Sequence, residues 1–421
     1  MKKYGAIVIG GGLTGVAAAV SAARGGASVL LVERSGALGG AMSNSFVYPF
    51  MRYWGIAPDG TQRLLSAGLF TEMRERHAKK VGVPIDSFPM RDFKPEYFKF
   101  VLDDMITESG VDVLFHTSLT GVTTSGEKIT SVKLNSKCGD IVATADFYID
   151  ASGDGDLFAY AGCDYQLGRE EDGFCQPMTT CFRMSGVDKQ LYLDGVTELQ
   201  ALYKQYQADG KITNPRENIL VFWGIGDGIL HFNTTRVVKC DPTDPFAISR
   251  AEIVARAQVH EVVDFLKKNS PAFKNSDLVS IATEIGVRES RKLRGRHILT
   301  ADELLTCADF PDTIALGNYD IDIHNPLGTG THIHYFKQDE FYRIPYRTLL
   351  PKEYDNLLVA GRCISATHEA QAAVRIMPIC ACLGEAAGTA VALALRESTT
   401  APDVDPKLLR EELIKNGAAI F

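Results

Sequence analysis

At 421 residues with 45% hydrophobic content, the chain exceeds one typical core and can fill two. Its 44 basic residues against 52 acidic ones leave a net charge of -8, which argues against a duplex-wide phosphate surface and a nucleic-acid partner. Nine cysteines, an odd number scattered from Cys138 to Cys382, do not read as a disulfide framework and suit a reducing, cytoplasmic setting.

Met1-Lys2-Lys3 followed by apolar residues imitates a signal peptide, but glycines cut its apolar core. The run Ala6 to Ile9 instead reads as a buried strand meeting Gly10, Gly12 and Gly15, with an alanine-rich helix from Thr14 to Ala23 behind it. This G-x-G-x-x-G turn is a dinucleotide cradle. Gly10 permits the tight turn, Gly12 lets phosphates approach, Gly15 lets helix and strand pack closely, and Leu13 and Thr14 open the helix beside the phosphates. Val29 to Val32 is the next buried strand. Glu33 at its end lies near the offset of about 20 residues expected of the acid that holds a ribose hydroxyl, with Arg34 as its neighbour. A second glycine pair, Gly39-Gly40, follows. A cofactor running past the first βαβ unit requires such a second close approach of backbone.

Gln62 to Lys80 reads as a helix, with Leu65, Leu69 and Met73 at intervals of four. Pro95 opens another, stopped at Gly110, and Val111 to Phe115 is a short strand. Leu119 to Leu134 reads as a hairpin around Ser125-Gly126, after which Phe147 to Asp150 returns to the parallel sheet. From about residue 158 the rhythm changes to longer strands, Met178 to Met184 and Leu220 to Phe232. A helix is expected from Ser249, where Ser249 and Glu252 form a capping-box pattern, to about Lys268. Thr300 with Glu303 is a second capping box. The strand Asn356 to Ala360, a long helix from about Ile376 to Arg396, and a short one from Pro406 to Asn416 complete the chain. The longest apolar stretch, Ala372 to Leu395, is interrupted by Arg375, Pro378 and Glu385, so membrane insertion is not expected.

Two further glycine tips stand at Ile149-Asp150-Ala151-Ser152-Gly153-Asp154-Gly155-Asp156 and Leu358-Val359-Ala360-Gly361-Arg362. Together with the first fingerprint, Gly286-Val287-Arg288-Glu289-Ser290-Arg291 and Ile344-Pro345-Tyr346-Arg347, they resemble the FAD-dependent oxidoreductases with a glutathione-reductase-type FAD domain. That broad group includes fumarate reductase-like flavoproteins, and the closer resemblance is to a bacterial FAD-dependent oxidoreductase family related to the flavoprotein subunit of heterodisulfide reductase. The matching pieces run from near the N-terminus to about residue 390. The resemblance implies an α/β fold: a Rossmann-like FAD-binding domain built from 1–157 and 345–421, with an α+β substrate or cap domain inserted at 158–344. It implies FAD as cofactor, held by Gly10, Gly12, Leu13, Thr14, Gly15, Glu33, Arg34, Gly39 and Gly40. Ala151, Ser152, Gly153, Gly361, Arg362, Ile376 and Met377 would complete the contact. The resemblance departs from the family in lacking any C-x-x-C, so no iron-sulfur centre is expected. No second nucleotide fingerprint is present, which leaves the electron partner open.

A flavin exchanges hydride at its ring, so the protein must orient substrate, move a proton and exclude water. Arg288 and Arg291, three apart, suit a carboxylate clamp, or else a salt-bridged hinge with Glu289. Asp320, Asp322 and His324 alternate and would share one strand face, where His324 suits proton transfer. His332 and His334 alternate too, but no ligand spacing supports a metal. His368 and Arg375 lead into the helix whose N-terminus would face the flavin. The expected function is hydride transfer between FAD and a small organic, possibly carboxylated, substrate. The alternative is a flavin-binding electron-transfer or scaffold subunit without turnover of its own.

Overall fold

The computed structural model describes residues 3–87 and 90–421. Its central sheet has five parallel strands, in the order Leu357–Val359, Ala145–Asp150, Tyr4–Ile9, Val29–Val32, Asp112–Leu114. Layers cover both faces, which is why these strands are near-continuous apolar runs rather than alternating ones. In register, Ile9 sits opposite both Val32 and Asp150, and Val359 opposite Asp150. The carboxyl ends of four strands are therefore level, and each leads into a glycine or acidic turn. In open α/β sheets that edge is where ligands bind.

The first helix, Leu13–Arg24, lies against the long helix Met377–Glu397. Small residues permit it: a Cβ at Gly384 would stand 2.0 Å from the Thr14 carbonyl oxygen, and one at Gly388 2.2 Å from that of Ala18. By length and composition Met377–Glu397 is apolar enough to cross a membrane, yet 89% of its most apolar window is buried within the fold. Its apolarity is thus accounted for by packing.

A three-stranded antiparallel unit, Ser118–Ser125, Lys128–Ser136 and Gly139–Ala143, extends the hairpin expected around Ser125-Gly126. Farther along, a four-stranded antiparallel sheet has the order Val221–Gly226, Ile229–Phe232, Phe182–Ser185, Asp277–Ile281. One of its faces, with Phe182, Met184, Leu230 and Phe232, packs on the helices Lys189–Ala208 and Pro245–Asn269 through Tyr203, Val259 and Phe265. The other face looks toward Phe46 and Tyr48 of the N-terminal part of the chain.

Two expected helices differ. The stretch Gln62 to Lys80 is divided: Gln62–Leu64 is a strand paired with Trp54–Ile56, and the helix is Leu69–Val81. Gly68, at φ +66°, makes the break, and a Cβ there would fall 2.3 Å from the Glu385 carboxylate. That carboxylate accepts the Leu69 N–H at 2.9 Å and so caps the helix from outside. The helix expected from Ser249 begins a turn earlier, at Pro245, because Asp244 accepts the Phe246 N–H at 2.8 Å. Ser249 is already inside, its hydroxyl donating to the Pro245 carbonyl at 2.6 Å, and Glu252 accepts from Ile285 N–H at 2.7 Å. The Thr300–Glu303 capping box forms as expected, opening Ala301–Leu305.

Candidate active site

The glycine tips converge. A Cβ at Gly15 would lie 1.8 Å from the Gly10 carbonyl oxygen, so strand and helix touch at backbone distance. Gly10, at φ +102°, sits against Ala151, whose N–H donates to the Ile9 carbonyl at 2.8 Å. Gly361 reaches the same point from the C-terminal strand, where a Cβ would approach Thr14 Oγ1 to 2.7 Å. Gly12 pairs with Gly39, and the Gly39 N–H donates to the Gly11 carbonyl at 2.8 Å.

Gly12 itself faces open space: a Cβ there would meet nothing nearer than the Gly40 Cα at 4.0 Å. The helix that starts behind it has no side-chain cap, leaving its first N–H groups for an anion. Glu33, 5% exposed, accepts the Gly11 N–H at 2.6 Å on one carboxylate oxygen and the Ser35 N–H at 2.7 Å on the other. Each oxygen keeps a lone pair for a hydroxyl donor. An uncapped helix N-terminus, a cradle that a methyl group would fill and a buried carboxylate at the next strand's end match an extended dinucleotide. They define a dinucleotide-binding α/β fold.

The sequence agrees with this class. A family model described as FAD dependent oxidoreductase matches residues 6–413, and the chain belongs to that family. No curated protein matches the sequence. Among solved structures, a geranylgeranyl bacteriochlorophyll reductase-like protein from Thermoplasma acidophilum is 13% identical, covering 99% of this chain and 84% of that one with a TM-score of 0.48. The p-nitrophenol 4-monooxygenase from Pseudomonas putida is 10% identical over 98% and 84% of the two chains, TM-score 0.46. A myxobacterial chondrochloren halogenase is 15% identical over 98% and 78%, TM-score 0.44.

The remaining expected cofactor residues fall around the same edge. Ser152 turns on Asp150, which accepts its N–H at 3.0 Å and its hydroxyl at 2.7 Å. Arg362 donates to Asp154 at 2.7 Å and to the Ser290 hydroxyl at 3.3 Å, beneath Gly153. Arg34 points away from Glu33, into an ion pair with Glu284. Ile376 is the N-cap of the long helix and Met377 its first residue, again with no side-chain cap.

Arg288 and Arg291 do not form one clamp. Three residues apart on an extended segment, they leave it in different directions. Arg291 bonds the Asp154 carbonyl at 3.1 Å and the Asp156 carboxylate at 3.0 Å. Arg288 donates to the Pro177 carbonyl at 2.5 Å, to Thr179 Oγ1 at 2.6 Å and to Asn233 Oδ1 at 3.4 Å, all neutral acceptors. Glu289, the partner expected for the arginines, turns inward and joins Lys292 at 2.5 Å and His368 at 2.8 Å. Burial opposes its charge, but His368 and Lys292 overcome that and hold it below the ordinary glutamate range. His368 is thus tied into a buried knot.

Arg288 meets a different partner. Burial first, and then the charge of Arg375, pull its pKa down to about 9. The Nε of Arg375 is buried without a hydrogen-bond acceptor among the described residues. Beside this pair lies the hairpin Ile321–His324 and Thr331–His334. His324 Nε2 is 3.4 Å from Asp322, and its Nδ1 faces Arg236 at 3.3 Å and Thr331 Oγ1 at 3.1 Å. Tyr319 donates to Asp322 at 2.9 Å. Burial, then Arg288, push the imidazole down to about 3, so it is neutral, while Asp322 stays ionised despite its burial because His324, Arg375 and Tyr319 favour the charge. Asp320 is drawn off to Arg52 at 3.2 Å. His332 and His334 stand opposite Ile323 and Ile321, on the other face of the hairpin from His324, which removes them from any shared ligand set.

The sequence reading missed Arg183 and His231. Both are polar residues set inside apolar strands, Cys181-Phe182-Arg183-Met184 and Leu230-His231-Phe232, and that interruption was the available signal.

Proposed function

We propose that the protein exchanges a hydride between FAD and a small carboxylated substrate, with the chain divided into a cofactor part at 1–157 and 345–421 and a substrate part at 158–344. In this reading the residues from Gly10 to Gly15, Glu33, Arg34, Gly39, Gly40, Ala151 to Gly153, Gly361 and Arg362 hold the cofactor. Ile376 and Met377 present the helix N-terminus to its ring. Bound FAD would supply the two-electron chemistry. A nearer relation to fumarate reductase-like and heterodisulfide reductase flavoproteins is part of this proposal, and the five segments Ile7–Gly15, Ile149–Asp156, Gly286–Arg291, Ile344–Arg347 and Leu358–Ser365 support it together.

One observation carries the substrate class: Arg375 lies close enough to lower the pKa of Arg288, and among the described residues neither arginine forms an ion pair with a carboxylate, Asp322 standing near both without bonding either. Two arginines that share the field of one carboxylate and bond neither of its oxygens suit a further acid brought by the ligand. Asp322 holds the neutral His324 by its Nε2–H and accepts from Tyr319, a chain of donors and acceptors able to carry a proton to or from bound substrate. Arg291, ion-paired with Asp156, and His368, hydrogen-bonded to Glu289, position neighbouring segments.

Anaerobic mixing of FAD-loaded protein with hydroxy acids, amines and enoates tests this. At least one carboxylated compound bleaches the oxidised flavin or re-oxidises the reduced one, and Arg288→Met weakens its binding roughly 10- to 100-fold. A panel without any flavin response would favour the scaffold or electron-transfer role instead.

A further inference from the structure

On the four-stranded sheet, side chains alternate between the helix-packed core and the face covered by Phe46 and Tyr48. Arg183 and His231 lie directly opposite one another on paired strands, on that covered face. Asn233, which accepts from Arg288, follows directly on the end of the His231 strand, and the charges of Arg288 and Arg183 both act on the buried Cys181 thiol. The Arg288 site thus adjoins the sheet that carries the Arg183–His231 pair.

The pair is buried and unsatisfied. Arg183 is 8% exposed and His231 0%. Among the described residues, Nε and Nη2 of Arg183 and both ring nitrogens of His231 have no hydrogen-bond partner. The Arg183 guanidinium lies 4.0 Å above the Phe46 ring, and the His231 ring is 5.5 Å from that of Tyr48. A cation–π contact compensates only part of what a buried cation loses on leaving water. Burial and Arg183 together push His231 down to about 3, so the imidazole is neutral and has one N–H to donate.

Buried donors without acceptors call for a ligand that brings one. We propose that Arg183 and His231 form a second anion-binding subsite, which takes an acidic group at the far end of an elongated diacid whose first carboxylate occupies Arg288 and Arg375. The inference rests on the carboxylate reading given above and narrows it to substrates acidic at both ends. Arg183 supplies a fork of N–H donors and the positive charge, His231 a neutral donor beside it, and Phe46 and Tyr48 an apolar wall for the connecting carbons.

The test titrates FAD-loaded protein with straight-chain dicarboxylates from succinate to suberate, and with monocarboxylates of matching length, following the flavin absorbance. Wild type prefers one dicarboxylate length over the matching monocarboxylate. Arg183→Met lowers affinity for that diacid by about 10- to 100-fold and leaves the monocarboxylates unchanged. Its melting temperature holds or rises, because a buried cation only partly compensated by the Phe46 ring and the Glu96 charge has been removed. Arg183→Lys retains part of the preference. The proposal is overturned if no diacid is preferred, if Arg183→Met weakens both acid series equally, or if it lowers the melting temperature while the preference persists. It is also overturned if Arg183→Met loses FAD, since Arg183 would then serve the cofactor. Arg288→Met separates the two readings: if it leaves every acid bound as before, the carboxylate site itself is wrong, whatever Arg183 does.

Discussion

Replacing Gly12 with alanine separates cofactor binding from folding. Gly12 has φ -65° and ψ 177°, a conformation any residue adopts, and a Cβ there meets no atom nearer than the Gly40 Cα at 4.0 Å. Alanine at this N-cap costs about 1 kcal/mol in helix capping and recovers a similar amount by restricting the unfolded chain, so stability changes little. The methyl group nevertheless occupies the space in front of the first helical turn. Holding a diphosphate away from two N–H donors forfeits charge-assisted bonds of roughly 1.5–3 kcal/mol each, a loss of about 10²- to 10⁴-fold in FAD affinity. Gly15→Ala is the counterpart, since its Cβ would lie 1.8 Å from the Gly10 carbonyl oxygen. It destabilises the apoprotein at the upper end of the roughly 1–3 kcal/mol typical of overpacking. Titrating apoprotein with FAD by fluorescence, alongside thermal unfolding without cofactor, reads both quantities. Wild-type FAD affinity in Gly12→Ala would refute the cradle, as would equal melting-temperature losses in the two variants.

Glu385 makes stability depend on pH. Burial raises its pKa from 4.5 to about 7, so between those values the folded state keeps a proton that the unfolded chain has released. Stability therefore falls as pH rises through that window, by on the order of 3 kcal/mol in full. Glu385→Gln, which can still accept the Leu69 N–H, is more stable than wild type at pH 8 and equal to it near pH 4; urea unfolding curves parallel at all pH values would contradict this. Gly388→Ala places a methyl group 2.2 Å from the Ala18 carbonyl oxygen and forces the helices Leu13–Arg24 and Met377–Glu397 apart. It lowers the melting temperature and weakens FAD binding together, and an unchanged melting point would show that the helix contact has slack.

The parallel sheet and its glycine tips were legible in the sequence because each depends on local chemistry. An apolar run followed by a glycine turn has few other solutions. The helix Lys189–Ala208 was not foreseen, since only Tyr192, Leu199 and Tyr203 along it are buried, too sparse a stripe for periodicity. The Leu65, Leu69, Met73 spacing misled because what ends that segment is a distant side chain, Glu385, together with Gly68. The site divides the same way. Glu33 and Gly12 could be placed by offset from a motif, whereas the meeting of Arg288 with Arg375 and Asp322 depends on how segments far apart in sequence fold together. Spacing suggested instead that Arg288 pairs with Arg291, and backbone direction at an extended segment overrides spacing.

A crystal structure of the protein with FAD and a bound dicarboxylate is the most direct measurement. The account expects the diphosphate on the Gly12–Gly15 turn, the flavin ring at the Ile376–Met377 helix end, and a carboxylate bonded to Arg288. A flavin ring remote from Arg288, or an acid bound elsewhere while Arg288 keeps only its Thr179 and Asn233 contacts, would contradict it.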